Sequence, residues 1–138
     1  MWRANRIFRR MRRFAYTELI AWQRAMDLVV TVYEVSLRLP IEEKFGLTTQ
    51  MRRAATSVPA NIAEGQGRRT RGEFRNSLSV ARGSLCELQT HIRISERLGL
   101  IAPDVAEQVL DSSDEVGRLV SGLLRSLRSA RDKLATNN

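Results

Sequence analysis

Between residues 74 and 92, apolar side chains fall at Phe74, Leu78, Ala81, Leu85, Leu88 and Ile92, stepping by four and three in strict alternation. Such a stripe is a coiled-coil-like seam on one side of a helix, and it needs neighbouring helices to cover it. The predicted helix runs from about Thr70 to Leu98, with Gly99 as a left-handed cap and Leu100 reaching back toward Ile94. Gly83-Ser84 in mid-helix costs about 1 kcal/mol of propensity relative to alanine. That cost makes sense where another helix approaches closely.

The rest of the chain supplies three more helices. From about Thr17 to Leu39, one stripe is Trp22, Met26, Val29, Tyr33 and Leu37, and a second is Ala25, Leu28, Val32, Val35 and Leu39. An arc this wide must be covered on more than one side, by an off-centre core contact or by another subunit. Pro40 stops that helix. After a loop at 40–45, Gly46 to Gly67 carries Met51, Ala54, Ala55, Val58 and Ile62 on one face, with Pro59 expected to bend it and Gly65 and Gly67 to end it. A fourth helix is expected from Pro103 to about Leu134, with Val105, Val109, Val116, Val120, Leu123, Leu127, Ala130 and Leu134 as its core stripe. Its acids (Asp104, Glu107, Asp111, Asp114, Glu115) lie in the first half and its bases (Arg118, Arg125, Arg128, Arg131, Lys133) in the second, which suits the helix dipole. Few prolines and abundant Leu, Ala, Arg and Glu agree with an all-α chain. The expected fold is an up-down-up-down four-helix bundle over residues 17–134, with a basic arm at 1–16 and a frayed end at 135–138. A three-helix core with a docked helix and an extended coiled-coil hairpin are the alternatives, and the short loops disfavour the hairpin.

A polar row runs beside the apolar face of the second helix: Gln50, Arg53, Ser57, Asn61 and Glu64. Short polar side chains are poor choices for an exposed helix interior, because they compete with the backbone. Such a row forms a polar seam within the bundle or between subunits, a ligand site, or a plain solvated face. As a seam, Arg53 is expected to reach Glu87 or Glu64. Gln50, Ser57, Asn61 and Ser84 would then satisfy the remaining donors and acceptors.

The 138 residues carry a net charge of +8, from 23 bases against 15 acids. Arg3, Arg6, Arg9, Arg10, Arg12 and Arg13 all precede the first acid, Glu18, and without these six the balance is only +2. An arm of this kind suits phosphate backbones; a solvated extension, or residues added by an upstream start codon, would look the same. Ile7, Phe8, Met11 and Phe14 interrupt the arginines, a short and weak pattern for an amphipathic helix lying on a membrane or on RNA. A second basic stretch is the loop with Arg68, Arg69 and Arg71. Its glycines follow no strand and lack the order of a phosphate-binding loop.

No catalytic constellation stands out. The single Cys86 excludes an internal disulfide, and His91 has no partner at metal-ligand spacing. Glu64 and Glu87 are the only carboxylates in suggestive company, and no nucleophile–base pair accompanies them. No cofactor or metal is expected. No run is long enough to span a membrane and no signal-peptide core follows the positive N-terminus, so a cytoplasmic protein is expected.

Several elements together resemble one known family. They are Trp22, Ala25, Leu28, Tyr33, the Leu39-Pro40 stop, Glu43, Phe45-Gly46-Leu47-Thr48 to Gln50, Arg52-Arg53-Ala54, Ser57, Ala60-Asn61-Ile62-Ala63-Glu64-Gly65, and Gly83-Ser84 to Glu87. Over residues 18–128 the chain resembles the four-helix-bundle proteins related to the 23S ribosomal RNA intervening-sequence protein. The resemblance implies a bacterial cytosolic bundle that assembles as a homopentamer around a central axis, without a recognised catalytic activity. The same fold resembles the accessory protein of diversity-generating retroelements, which binds a reverse transcriptase and nucleic acid. The arginine-rich arm is outside the family pattern, and Leu39 stands where an aromatic residue is commoner. Three functions follow as expectations. The first is a non-catalytic oligomer associated with RNA or other nucleic acid. The second is a structural or protein-interaction scaffold, such as an accessory subunit of a reverse transcriptase. The third, and the least supported, is an enzyme.

Overall fold

The computed structural model describes Arg6, Arg9 and residues 15–128. Four α-helices make up the body: α1 (Ile20–Ser36), α2 (Leu47–Gln66), α3 (Arg71–Arg97) and α4 (Pro103–Ser126). The principal packings are α1 on α2, α2 on α3, α3 on α4 and α4 back on α1. Each helix thus has two main neighbours, and the short connections run them up and down in turn. The α2–α3 packing is the most extensive.

The core comes from the stripes. Phe74, Leu78, Ala81, Leu88 and Ile92 of α3 are fully buried and Leu85 nearly so. They meet Ala25, Leu28 and Val32 of α1, Met51, Ala55, Val58 and Ile62 of α2, and Val109, Val116 and Val120 of α4 in one continuous cluster. Burying a large apolar side chain of this kind contributes about 1.5–3 kcal/mol.

The ends follow local chemistry. α1 begins at Ile20 rather than Thr17, because Tyr16–Glu18 form a 3-10 turn and Leu19 is extended. It closes at Ser36 rather than Leu39: Arg38 and Leu39 donate to Val35 and Ser36 in tightened turns. Pro40 enforces this, since the residue before a proline is disfavoured in the helical region. The first amide of α2 donates to the Glu43 carboxylate at 3.2 Å. α2 then runs unbroken through buried Pro59. Thr70 caps α3, its hydroxyl accepting from the Glu73 amide at 3.1 Å. Gly99, with φ of +72°, closes α3 as expected, and the Leu100 amide donates to the Ser95 carbonyl at 2.9 Å. Pro103 opens α4. α4 ends at Ser126, short of the expected Leu134. Ala130, Leu134 and the expected frayed end at 135–138 lie outside the described residues.

Candidate functional site

The middle of the α2 polar row turns inward and its ends turn outward. Ser57 Oγ and Ser84 Oγ lie 2.8 Å apart, joining α2 to α3. Asn61 Nδ2 donates to Ser57 Oγ at 3.0 Å and to the Ser57 carbonyl at 2.8 Å. Ser84 is buried, and Ser57 and Asn61 are half-buried. Gln50, Arg53, Glu64 and Glu87 are all exposed.

The expected bridge from Arg53 to Glu87 or Glu64 is not formed. Glu64 pairs with Arg68, one turn along the same helix, and Glu87 lies 3.5 Å from His91 Nε2. The reason is rotation. At 3.6 residues per turn, Arg53 stands about 160° from the direction of buried Met51, whereas Asn61 stands only about 80° from it. The arginine that reaches across is its neighbour. Arg52 Nε donates to Ser36 Oγ at 2.8 Å, and its guanidinium lies 4.6 Å from the centre of the Tyr33 ring. Arg52 therefore ties α2 to α1. A one-residue step turns the side chain by about 100°, enough to move it from solvent to the α1 contact.

The close approach expected at Gly83 occurs elsewhere. A Cβ built on Gly83 would meet nothing within 4 Å, whereas one on Gly65 would come within 2.8 Å of both Phe74 Cδ2 and Ser77 Cβ. Gly65 lets α2 lie against the first turns of α3. His91 is half-buried, and neither ring nitrogen makes a hydrogen bond.

Of the expected basic contacts, Arg6, Arg9 and Arg69 are exposed, Arg68 is paired with Glu64, and Arg71 is half-buried. Arg3, Arg10, Arg12 and Arg13 lie outside the described residues. Sequence spacing did not reveal a third basic region. Between α3 and α4 is an open groove of about 570 Å³, lined by Arg82, Arg118 and Arg125 together with Leu85, Cys86, Gln89, Ser113, Asp114, Gly117 and Ser121. Its signal was present as Arg118 and Arg125, seven residues apart on one helix face, but their convergence with Arg82 depends on how α3 and α4 pair.

One apolar face stays outside the core. On α1, Trp22 and Val29 rest against the cluster, while Met26, Tyr33 and Leu37 of the same stripe are 40%, 41% and 76% exposed. Val30 and Ile41, each lining a depression with Leu37, are exposed as well. Val29, Val30, Tyr33 and Leu37 line a shallow depression of about 390 Å³ with Glu34 and Arg52. Among the described residues, no group of three or more His, Cys, Asp or Glu side chains could hold a metal ion. No helix there is long and apolar enough to cross a membrane.

No curated protein matches this chain. A solved structure does: the crystal structure of a protein of unknown function from the S23 ribosomal protein family of Bacteroides thetaiotaomicron VPI-5482. It is 24% identical, with a TM-score of 0.71, and the match covers 76% of this chain and 98% of that one. That likeness establishes the fold. The family model described as 23S rRNA-intervening sequence protein matches residues 17–122, which takes in the α2 polar row and all but the last turn of α4. The chain therefore belongs to the 23S rRNA-intervening sequence protein family.

Proposed function

We propose that this protein is a non-catalytic, self-assembling four-helix bundle that associates with RNA in the cytoplasm. The observation that carries the reading is the division of its surface. The exposed stripe of Met26, Val30, Tyr33 and Leu37 on α1 is left over after the bundle core is closed. Apolar surface of this kind marks a protein contact. A second copy is the partner the reading assigns to it, in a pentamer as the family resemblance implies. Each positive region would then be repeated around the assembly, so weak phosphate contacts would add by multivalency. RNA association itself is supported by the excess of +8 and by membership of the 23S rRNA-intervening sequence protein family.

Two measurements test the reading. Light scattering of the full chain at micromolar concentration should show an oligomer, and Tyr33→Glu with Leu37→Glu should dissociate it; a wild-type monomer would overturn the assembly. Titration with RNA over a range of salt should give binding that weakens as salt rises. Deleting residues 1–16 should preserve the fold and flatten that dependence. A second reading, a protein-interaction scaffold or accessory subunit without RNA affinity, is favoured by the same apolar stripe and by the balance of only +2 outside the six arm arginines. Absence of RNA binding at low salt would select it.

A further inference from the structure

We propose that the open groove between α3 and α4 is a seat for the phosphate backbone of single-stranded RNA, with Arg82, Arg118 and Arg125 as the phosphate contacts. The proposal rests on the RNA-associating reading above and places it at one site. The helix pairing defines the groove. Gln89 Nε2 donates to Ser113 Oγ at 3.0 Å and to Asp114 Oδ1 at 2.9 Å, pinning one end. Further along, a Cβ on Gly117 would find only Leu85 Cδ1, at 3.9 Å. Ser113, Gly117 and Ser121 follow one another at single-turn spacing on α4, so small side chains line its side of the groove and keep it open. The same register sets Arg82 across from the turn of α4 that holds Ser121, between Arg118 and Arg125.

The three guanidiniums of the groove are unpaired. Arg82, Arg118 and Arg125 are exposed, and none makes an ion pair among the described residues. By contrast Arg24 is held by Asp27 and Glu115, and Arg68 by Glu64. The one carboxylate lining the groove, Asp114, lies at the end closed by Gln89. A guanidinium presents a planar fork of donors that matches phosphate oxygens. Arg118 and Arg125 are separated by about 10 Å along the α4 axis at 1.5 Å per residue, a spacing that lets each side chain take its own phosphate of one strand. A groove of about 570 Å³ admits a short segment of a single strand. Ser121 and Gln89 on its walls offer hydrogen bonds.

The chain's single cysteine lies in this groove and is exposed, so it reports occupancy. The probe is a short fluorescein-labelled oligouridylate, followed by anisotropy. In parallel, alkylation of Cys86 by iodoacetamide is timed by intact mass. Bound RNA should slow alkylation several-fold. Arg118→Gln with Arg125→Gln should reduce the slope of log affinity against log salt by about 1.4, since each phosphate contact to a single strand contributes about 0.7. The equal-charge control Arg93→Gln with Arg97→Gln, exposed near the far end of α3, should leave the slope close to wild type. Asp114→Asn should tighten binding. Arg82→Gln alone provides a second variant, and wild-type protection of Cys86 needs no variant at all. If RNA binds but Cys86 reacts at its free rate and both double variants flatten the slope equally, the groove is overturned while RNA association stands. If no RNA binds at low salt, both fall. Protection of Cys86 that rises with protein concentration without RNA would assign the groove to a second copy, and would also overturn the proposal.

Discussion

Helix α3 has one face closed against α2 and another left open toward α4, and small residues sit at both boundaries with opposite consequences. On the α2 side, Gly65 allows backbone and ring to meet so tightly that a methyl group would intrude on Phe74 and Ser77 at 2.8 Å. On the α4 side, Gly117 faces space, with only Leu85 at 3.9 Å. The closed boundary is joined across by the Ser57–Ser84 hydroxyl pair and the open one by Gln89 at a single end. A small residue in a helix interface is therefore not by itself a sign of close packing. What stands opposite decides whether it admits a neighbour or leaves a groove.

The largest effect that would test this contrast is at Gly65. Gly65→Ala gains about 1 kcal/mol of helix propensity. Overpacking against a fully buried Phe74 ring and a serine Cβ costs about 1–3 kcal/mol, leaving a net loss of about 1–2 kcal/mol at the upper part of that range. Urea denaturation of the full chain measures it. A stabilised Gly65→Ala protein would show that α2 and α3 are not in close contact there.

The same substitution at the open boundary should reverse sign. Gly117→Ala keeps the propensity gain and meets ordinary van der Waals distances, so stability should rise by about 0.5–1 kcal/mol. A destabilised variant would mean that α3 and α4 close onto each other and that the groove is not open in solution.

A smaller loss is expected at the hydroxyl pair. Ser84→Ala removes a hydrogen bond worth about 1 kcal/mol net. Ser57 Oγ keeps the Asn61 donor, and alanine recovers about 0.5 kcal/mol in the helix, so the net loss is about 0.5 kcal/mol. The Ser57→Ala, Ser84→Ala double variant should cost less than the two single losses added, because both act on one contact. Additive losses would show that the two hydroxyls are satisfied independently.

The fold was legible because each helix carries its own stripe. The α3 repeat from Phe74 to Ile92 is buried throughout, and Gly46 and Gly67 flank the observed α2, which runs through Gly65 instead of ending there. The surplus arc of α1 was legible too, and it divides between contact with the core (Trp22, Val29) and open surface (Met26, Tyr33, Leu37). What a single helix cannot encode is its rotation against a neighbour at one-residue precision. Arg52 and Arg53 are indistinguishable by type, yet one docks on Tyr33 and the other faces solvent. The close helix approach falls at Gly65 rather than Gly83 for the same reason. The α3–α4 groove was only half legible, as Arg118 and Arg125 on one face of α4, because Arg82 joins them through the pairing of two helices.

The smallest expected effect lies at Arg53, on the outer rim of the closed boundary. If Arg53 bridged to a buried carboxylate, its removal would cost about 3–5 kcal/mol, since the abandoned charge would be left in a poorly solvated seam. The structure gives it no such partner: it is exposed, and the two candidate carboxylates contact Arg68 and His91. Arg53→Ala should therefore shift stability by no more than about 0.5 kcal/mol, as for an ordinary surface site. Arg52→Ala is the paired measurement, because it abolishes the Ser36 hydrogen bond and the stacking on Tyr33 together. It should cost clearly more, with about 1 kcal/mol from the hydrogen bond and a further 0.5–1 kcal/mol from the cation–π contact. Arg53→Ala is measured in the Tyr33→Glu, Leu37→Glu background, where contacts between copies do not enter, and again in the assembled protein, whereas Arg52→Ala is measured with Tyr33 intact because its contact is with that ring. A loss at Arg53 that appears only in the assembled protein would place its partner on a neighbouring copy. The polar row would then continue across the subunit boundary instead of ending at Ser84.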